Sequence, residues 1–498
     1  MTQTDLAPPG PAPPATLTGR TRWLAFGVLC LATLMNVLDT TIATLALTPI
    51  QDSLHFSSAG LAWVINAYML AFGGFLLLAG RTGDLYGTRR LFLAGLAVFT
   101  LASLACGLAQ SATVLIVARA IQGLGAAVVT AVSLALIMDL FPDGPERVKA
   151  MGIFAFVASG GGAVGALAGG FITAHFDWHW NFLINVPIGL AVYLGTRAFV
   201  PDRPGVATGR LDVAGALTVT ASLLLAVYAV LEAKDAGWTS ATTLLRLAGA
   251  AALMAVFVLI ERSVQAPLVP LGLFTKRNIL ASNAIGMLWA AAMFAWFFLT
   301  SLYMQGILGY DAQQTGLAFL PADVIMALFS VWLSAKMVNR FGIRRPIAAG
   351  LLLAAAGLAL FAVAPVDGRF LTAVLPGMLL LGVGAGMAFN PLFLAAMSDA
   401  RPEEGGLASG LVNTSFMMGG ALGLAVLASL AASRTQDALS SGAGDSAALL
   451  SGYHVAFLVG ALFAALAALI GGTVLRVSVP SAGHVEAHAV PQAIGAEK

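Results

Sequence analysis

Apolar residues run in blocks of about 20 from Trp23 almost to Arg476, each long enough to cross a hydrocarbon core of roughly 30 Å as a helix. Polar residues gather in the short breaks between the blocks. The pattern predicts fourteen membrane helices, over 23–48, 59–80, 90–110, 112–139, 150–174, 180–199, 211–231, 244–261, 279–308, 314–335, 346–365, 371–398, 407–432 and 452–475. A lipid-exposed segment must pair its own backbone polar groups, so an all-α integral membrane protein is expected.

The breaks carry a repeat. Gly80-Arg81-Thr82-Gly83-Asp84-Leu85-Tyr86-Gly87-Thr88-Arg89-Arg90 returns downstream as Ala335-Lys336-Met337-Val338-Asn339-Arg340-Phe341-Gly342-Ile343-Arg344-Arg345, again between apolar blocks. Both copies read as short loops, and Gly87 matches Gly342 as Arg89-Arg90 match Arg344-Arg345. The repeat predicts two pseudo-symmetric six-helix bundles, 23–199 and 279–475, with two helices inserted in 200–278. These inserted helices carry few polar residues, which suits lipid contact. Residues 1–22, which include Pro-Pro-Gly-Pro-Ala-Pro-Pro, and 476–498 are expected to be disordered cytoplasmic tails. The first apolar block is too long for a cleaved leader and reads as a permanent anchor.

Composition agrees: 59% of residues are hydrophobic, 10% are charged, and the mean hydropathy is +0.91. Twenty of the 25 Lys and Arg residues fall on the side of the termini, and Lys234, Arg246, Arg369 and Arg434 fall on the other. That bias places both termini in the cytoplasm. A net charge of +2 without basic-aromatic alternation gives no reason to expect nucleic acid, and no zinc-ligand spacing appears. Cys30 and Cys106 lie within apolar blocks as packing residues. No phosphate-binding Gly-x-x-x-x-Gly-Lys-Ser/Thr loop is present and no His lies deep in a helix beside an acid, which disfavours an ATP-driven pump and a membrane enzyme. No cofactor and no metal is expected. The partners expected are a small-molecule substrate, protons and membrane lipid, acting on a monomer.

Ionisable residues far from a helix end are costly in a membrane unless paired or facing water. Three qualify: Asp39, Arg119 and Asp323. Asp39 and Arg119 lie at middle to outer depth and could meet across the first bundle, either as a static pair fixing helix packing or as a pair whose separation loads a proton. Asp323 follows Pro321, which can bend its helix toward a central cavity, and reads as a cavity carboxylate favouring cations or as a second proton site. Asn66, Gln122, Tyr303, Gln305, Asn390, Asn413 and Met417 are candidate cavity residues. Gly161, Gly165 and Gly169, with Gly170, bring a second helix close, as plain packing or as a sliding pivot between the bundles. In the repeated loop, Gly80, Asp84, Gly87, Arg89 and Arg90 form a candidate conformational latch across the bundles, beyond a bare topology signal. Gly342, Arg344 and Arg345 form its second copy, with Asn339 in place of the acid.

Taken together these residues resemble the major facilitator superfamily, specifically its fourteen-helix branch of drug:proton antiporters, of the multidrug and quaternary ammonium resistance type. The Gly80–Arg90 stretch is similar to that superfamily's signature Gly-x-x-x-Asp-x-x-Gly-x-Arg-Arg. Leu38-Asp39-Thr40-Thr41-Ile42 resembles its embedded aspartate motif, and Arg119-Ala120-Ile121-Gln122-Gly123 its Arg-x-x-Gln-Gly segment. Trp178-His179-Trp180-Asn181-Phe182-Leu183-Ile184-Asn185-Val186-Pro187-Ile188-Gly189, Gly237-Trp238 and Gly406-Leu407-Ala408-Ser409-Gly410 also match. Three positions depart from the pattern: Pro49 stands one residue late, Gly165-Ala166 replaces the usual Gly-Pro, and His179 replaces Arg. The resemblance implies a proton-coupled secondary transporter in a bacterial cytoplasmic membrane. It would export lipophilic, cationic molecules or drugs by alternating access. A proton-coupled symporter, or a dedicated exporter of one metabolite or antibiotic, is the alternative.

Overall fold

The computed structural model describes residues 19–476, apart from 58, 143, 203–210 and 402–403. Most of both expected tails and of the polar connection after 200–202 therefore lie outside the described residues. Fourteen helical segments follow in order: α1 Gly19–Leu45, α2 Gly60–Tyr86, α3 Thr88–Gly107, α4 Ala112–Leu140, α5 Pro145–His175, α6 Trp180–Phe199, α7 Val213–Ala236, α8 Ala241–Ser263, α9 Arg277–Ile307, α10 from Ala312–Leu328 through Ser334–Phe341, α11 Arg344–Phe361, α12 Phe370–Met397, α13 Gly405–Ser440 and α14 Asp445–Thr473. A short helix, Leu47–Leu54, follows α1. Among the described residues thirteen of these are single apolar helices long enough to span a bilayer. In the tenth a wide π turn over Phe329–Leu333 follows only 17 residues of α-helix, whereas the π turns of α9 and α12 lie at the helix ends.

The first six and last six segments repeat one packing scheme. α1 packs on α5 and α6, α2 on α4, and α3 on α4 and α6; equivalently α9 packs on α13 and α14, α10 on α12, and α11 on α12 and α14. The two bundles meet along two equivalent seams, α2 against α13 and α5 against α10. α7 packs on both α2 and α13, where Ser429 donates to Val230 O at 2.9 Å and Gly74 leaves room for Thr220. The inserted pair is therefore not simply lipid-facing as expected. α7 lines a seam, and α8 packs on α7 and is the more exposed of the two.

Several ends move relative to the apolar blocks. α1 begins at Gly19, inside the expected tail, where Arg22 pairs with Glu146 of α5 and Lys149 lies 5.1 Å above Trp23. α13 continues to Ser440 because its last two turns are polar yet still helical, as a segment leaving the bilayer can be. The stretch 80–90 is not a loop: α2 continues to Tyr86, and Gly87 alone, at φ 95°, turns the chain into α3. Gly342, at φ 77°, does the same before α11. At either junction a side chain would be strained, since this backbone region suits glycine alone. Before α9, Lys276 Nζ lies 2.7 Å from Glu404 Oε2 and its hydrogen bond holds that carboxyl below the usual carboxylate range.

Candidate functional site

The core of the first bundle contains one polar cluster, drawn from α1, α3, α4 and α6. Asp39 and Arg119 are 1% and 0% exposed, with Arg119 Nη1 2.5 Å from Asp39 Oδ2. Arg119 also donates from Nε to Val64 O at 3.0 Å and from Nη1 to Gln122 Oε1 at 2.7 Å. Gln122 Nε2 donates to Asp39 Oδ1 at 2.7 Å and to Ser103 Oγ at 3.0 Å. Asn185 Nδ2 repeats that pair of contacts, at 2.9 Å to Asp39 Oδ1 and 3.0 Å to Ser103 Oγ. Ser103 in turn donates to Phe182 O at 3.0 Å. The guanidinium lies 4.4 Å above the Tyr68 ring, and its Nη2 has no partner. Away from water such an assembly is strong when complete and costly when broken, because a buried charge left alone recovers nothing from solvent.

The local sequence explains the convergence. Arg119 and Gln122 are three residues apart on α4 and so share a face. Gly123 lies between them and Tyr68 of α2, and a Cβ there would sit 2.3 Å from Tyr68 O, so only glycine lets α2 approach this closely. Asp39 and Asn36 stand one turn apart on α1, and Asn36 Nδ2 donates to Thr130 Oγ1 at 3.1 Å, which pins α1 to α4 below the cluster. Gln122, expected to line a cavity, belongs to this cluster. Ser103 and Asn185 carry no charge and were not singled out from sequence, although Asn185 falls within the Trp178–Gly189 stretch.

Asp323 is not part of this cluster. It lies in the second bundle on α10, 2% exposed, with Oδ2 unpaired, and faces Gly162 of α5 across the seam. One turn earlier on the same face, Phe319 packs against Trp296 and Phe297 with ring centroids 5.8 and 5.3 Å away. The unpaired carboxyl oxygen thus stands one turn along α10 from this aromatic cluster.

The helix 5 glycines divide between two faces. A Cβ at Gly161, Gly165 or Gly169 would come 2.9 Å from Val37, Thr41 or Ile42, all on α1, so this stripe packs within the first bundle and not between bundles. The neighbouring stripe, Gly162, Ala166 and Gly170, lies one residue and so about 100° round the helix, and faces α10. Gly170 meets Ala312 and Gln313, and a Cβ at Gly316 would lie 2.2 Å from Ala166 O. Of the four glycines expected at a pivot, only Gly170 lies on the face between the bundles.

The other expected cavity residues scatter. Asn66 is fully buried on α2 with both amide atoms unpaired. Tyr303 is fully buried and donates to Pro365 O at 2.7 Å, and Asn390 donates to Ser330 O at 2.8 Å, so both tie helices within the second bundle. Gln305 reaches α1, at 3.2 Å from Leu45 O. Met417 packs against Gly73 in the α2/α13 seam, and Asn413, four residues earlier, is half-buried on the same helix.

The expected latch does not bridge the bundles in this structure. Arg89 donates to Arg197 O at 2.7 Å and Arg90 lies 3.4 Å from Asp202, both partners following from the first bundle. Asp84 is exposed with no hydrogen bond or ion pair to another described residue, and Gly80 has open space around it. Arg344 and Arg345 are exposed at the start of α11.

With this geometry in hand, the chain can be compared with known proteins. It is 38% identical over 449 residues to the puromycin resistance protein pur8 of Streptomyces alboniger, covering 89% of each chain. It is 38% identical over 458 residues to the cephamycin export protein CmcT of Amycolatopsis lactamdurans, covering 90% of this chain and 93% of that one. The fold matches a bacterial homolog of the human lysosomal transporter Spinster, solved in an inward-facing and unoccupied conformation, with a TM-score of 0.65 over 92% of this chain and 97% of that one at 15% identity. The family model described as Major Facilitator Superfamily matches residues 29–424. An all-helical chain of two repeated six-helix bundles, matched by that model over most of its length, belongs to the major facilitator superfamily.

Proposed function

We propose that this protein is a proton-coupled exporter of lipophilic, cationic small molecules, working by rocking its two bundles about a cavity between them. The observation that carries the coupling is the Asp39–Arg119 pair, sealed from water and held by Gln122, Asn185 and Ser103. When substrate or a shift of α1 against α4 within the first bundle draws the guanidinium away, the carboxylate is left in a poorly solvated site and takes up a proton; when the pair reforms, the proton leaves. Export follows if substrate release on one face is tied to proton uptake there. The resistance and export roles named for the similar proteins support this direction of transport.

Asp323 supports the choice of cation. In proteoliposomes with an imposed pH gradient, Asp323→Asn is expected to lower export of tetraphenylphosphonium about tenfold or more while leaving an uncharged substrate within about twofold, the loss of one charge-assisted contact. Equal loss for both substrates would remove Asp323 from cation recognition. A dedicated exporter of one antibiotic is the second reading, favoured by the single compounds in the names of the similar proteins. Competition among unrelated cations for transport separates it from the broad-substrate reading. The direction of proton movement on adding substrate separates antiport from symport.

A further inference from the structure

We infer that Gln305, with Ser301, is the far-side gate bond of this transporter: it caps across the bundles a carbonyl that Pro49 leaves without a donor. Helix α1 ends at Leu45, and the chain continues through Ala46 into Leu47–Leu54. In an unbroken helix the N–H of residue 49 would serve the carbonyl of residue 45. Pro49 has no N–H, so Leu45 O needs a donor from elsewhere. Gln305 Nε2 of α9 supplies it at 3.2 Å. Ser301, one turn earlier, donates to Thr44 O at 3.2 Å and accepts from Gln305 Nε2 at 3.0 Å, so the two side chains act as one unit.

The α9 backbone is shaped for this reach. Residues Tyr303–Ile307 form a π turn, closed by Leu308 N on Tyr303 O at 3.1 Å, and the extra residue in that turn re-aims Gln305 toward α1. Both contacts join the first bundle to the second on the side opposite the termini. On the termini side the α2/α13 seam is apolar, with Leu77 against Gly410. These two bonds between the bundles therefore both lie at that one end. The late proline, an oddity in the sequence, acquires a role here, because its position fixes which carbonyl is orphaned.

When the far side opens, Gln305 leaves and Leu45 O loses its donor, so opening carries a penalty set by Pro49. The inference rests on the rocking motion proposed above. It is tested with spin labels at Ser53→Cys and Ser441→Cys on the full chain; the native Cys30 and Cys106 are buried. Gln305→Leu is expected to raise the long-distance, far-side-open population relative to the short-distance one about fivefold, the loss of one net hydrogen bond. In a Pro49→Ala background, where the N–H restored at position 49 can serve Leu45 O, the same substitution should change that ratio less than about twofold. A control pair, Ser53→Cys with His175→Cys, lies within the first bundle and should not move in any folded variant. An unchanged ratio in Gln305→Leu, or equal shifts in both backgrounds, overturns the gate. A single unmoving distance in every variant, with and without substrate and across pH, overturns the rocking motion itself.

Discussion

Replacing Asp39 with asparagine is expected to reduce pH-gradient-driven export to the level of empty proteoliposomes. Asparagine nearly preserves the shape and can still accept from Gln122 and Asn185, but it carries no charge and exchanges no proton. It also leaves Arg119 buried without its counter-ion, so the single variant should lose roughly 3–5 kcal/mol of stability, the usual penalty for breaking a buried pair from one side. That loss would by itself confound transport. The double variant Asp39→Asn/Arg119→Gln removes both charges and should recover most of the thermal stability while recovering none of the coupling. If the double variant regains gradient-driven export, the pair is a packing device and the proton is handled elsewhere.

The second large effect is expected at Gly316. A Cβ there would lie 2.2 Å from Ala166 O, a backbone atom that can move only if α5 and α10 separate. Gly316→Ala should therefore wedge the seam open on the side opposite the termini and lower export about tenfold or more. Overpacking of this kind typically costs about 1–3 kcal/mol, and more where backbone is the obstacle. Gly152→Ala, on the same helix as Ala166 but with nothing within 4 Å of the added carbon, is the matched control and should leave export unchanged. Normal export by Gly316→Ala would mean that close α5/α10 contact is not needed in the cycle.

Much of this architecture was legible because a bilayer restricts what a chain can do. Apolar block length gave the spans. What block length could not give was the true helix length, since hydropathy registers bilayer thickness rather than backbone hydrogen bonding. Hence α13 runs on to Ser440, and α2 passes through Gly80 and Gly83 as helix. Asp39 and Arg119 stood out because a charge in an apolar block has few explanations. Ser103 and Asn185 did not, because a small polar residue in a membrane helix is as often packing as chemistry. Gln305 and Tyr303 show the opposite limit: each needed a partner, but only three-dimensional placement says that it is a backbone carbonyl and not a substrate. The helix 5 glycines show the finest limit, where a shift of one residue decides whether a stripe faces α1 or the opposing bundle.

The inserted helices have a consequence for the symmetry of the protein. α7 lies along the α2/α13 seam, with α8 packed outside it, while the α5/α10 seam has no such cover among the described residues. The two seams therefore differ in their surroundings, one walled by α7 and α8 and the other uncovered. The protein is lopsided in the membrane plane, although its two bundles are near copies in their packing.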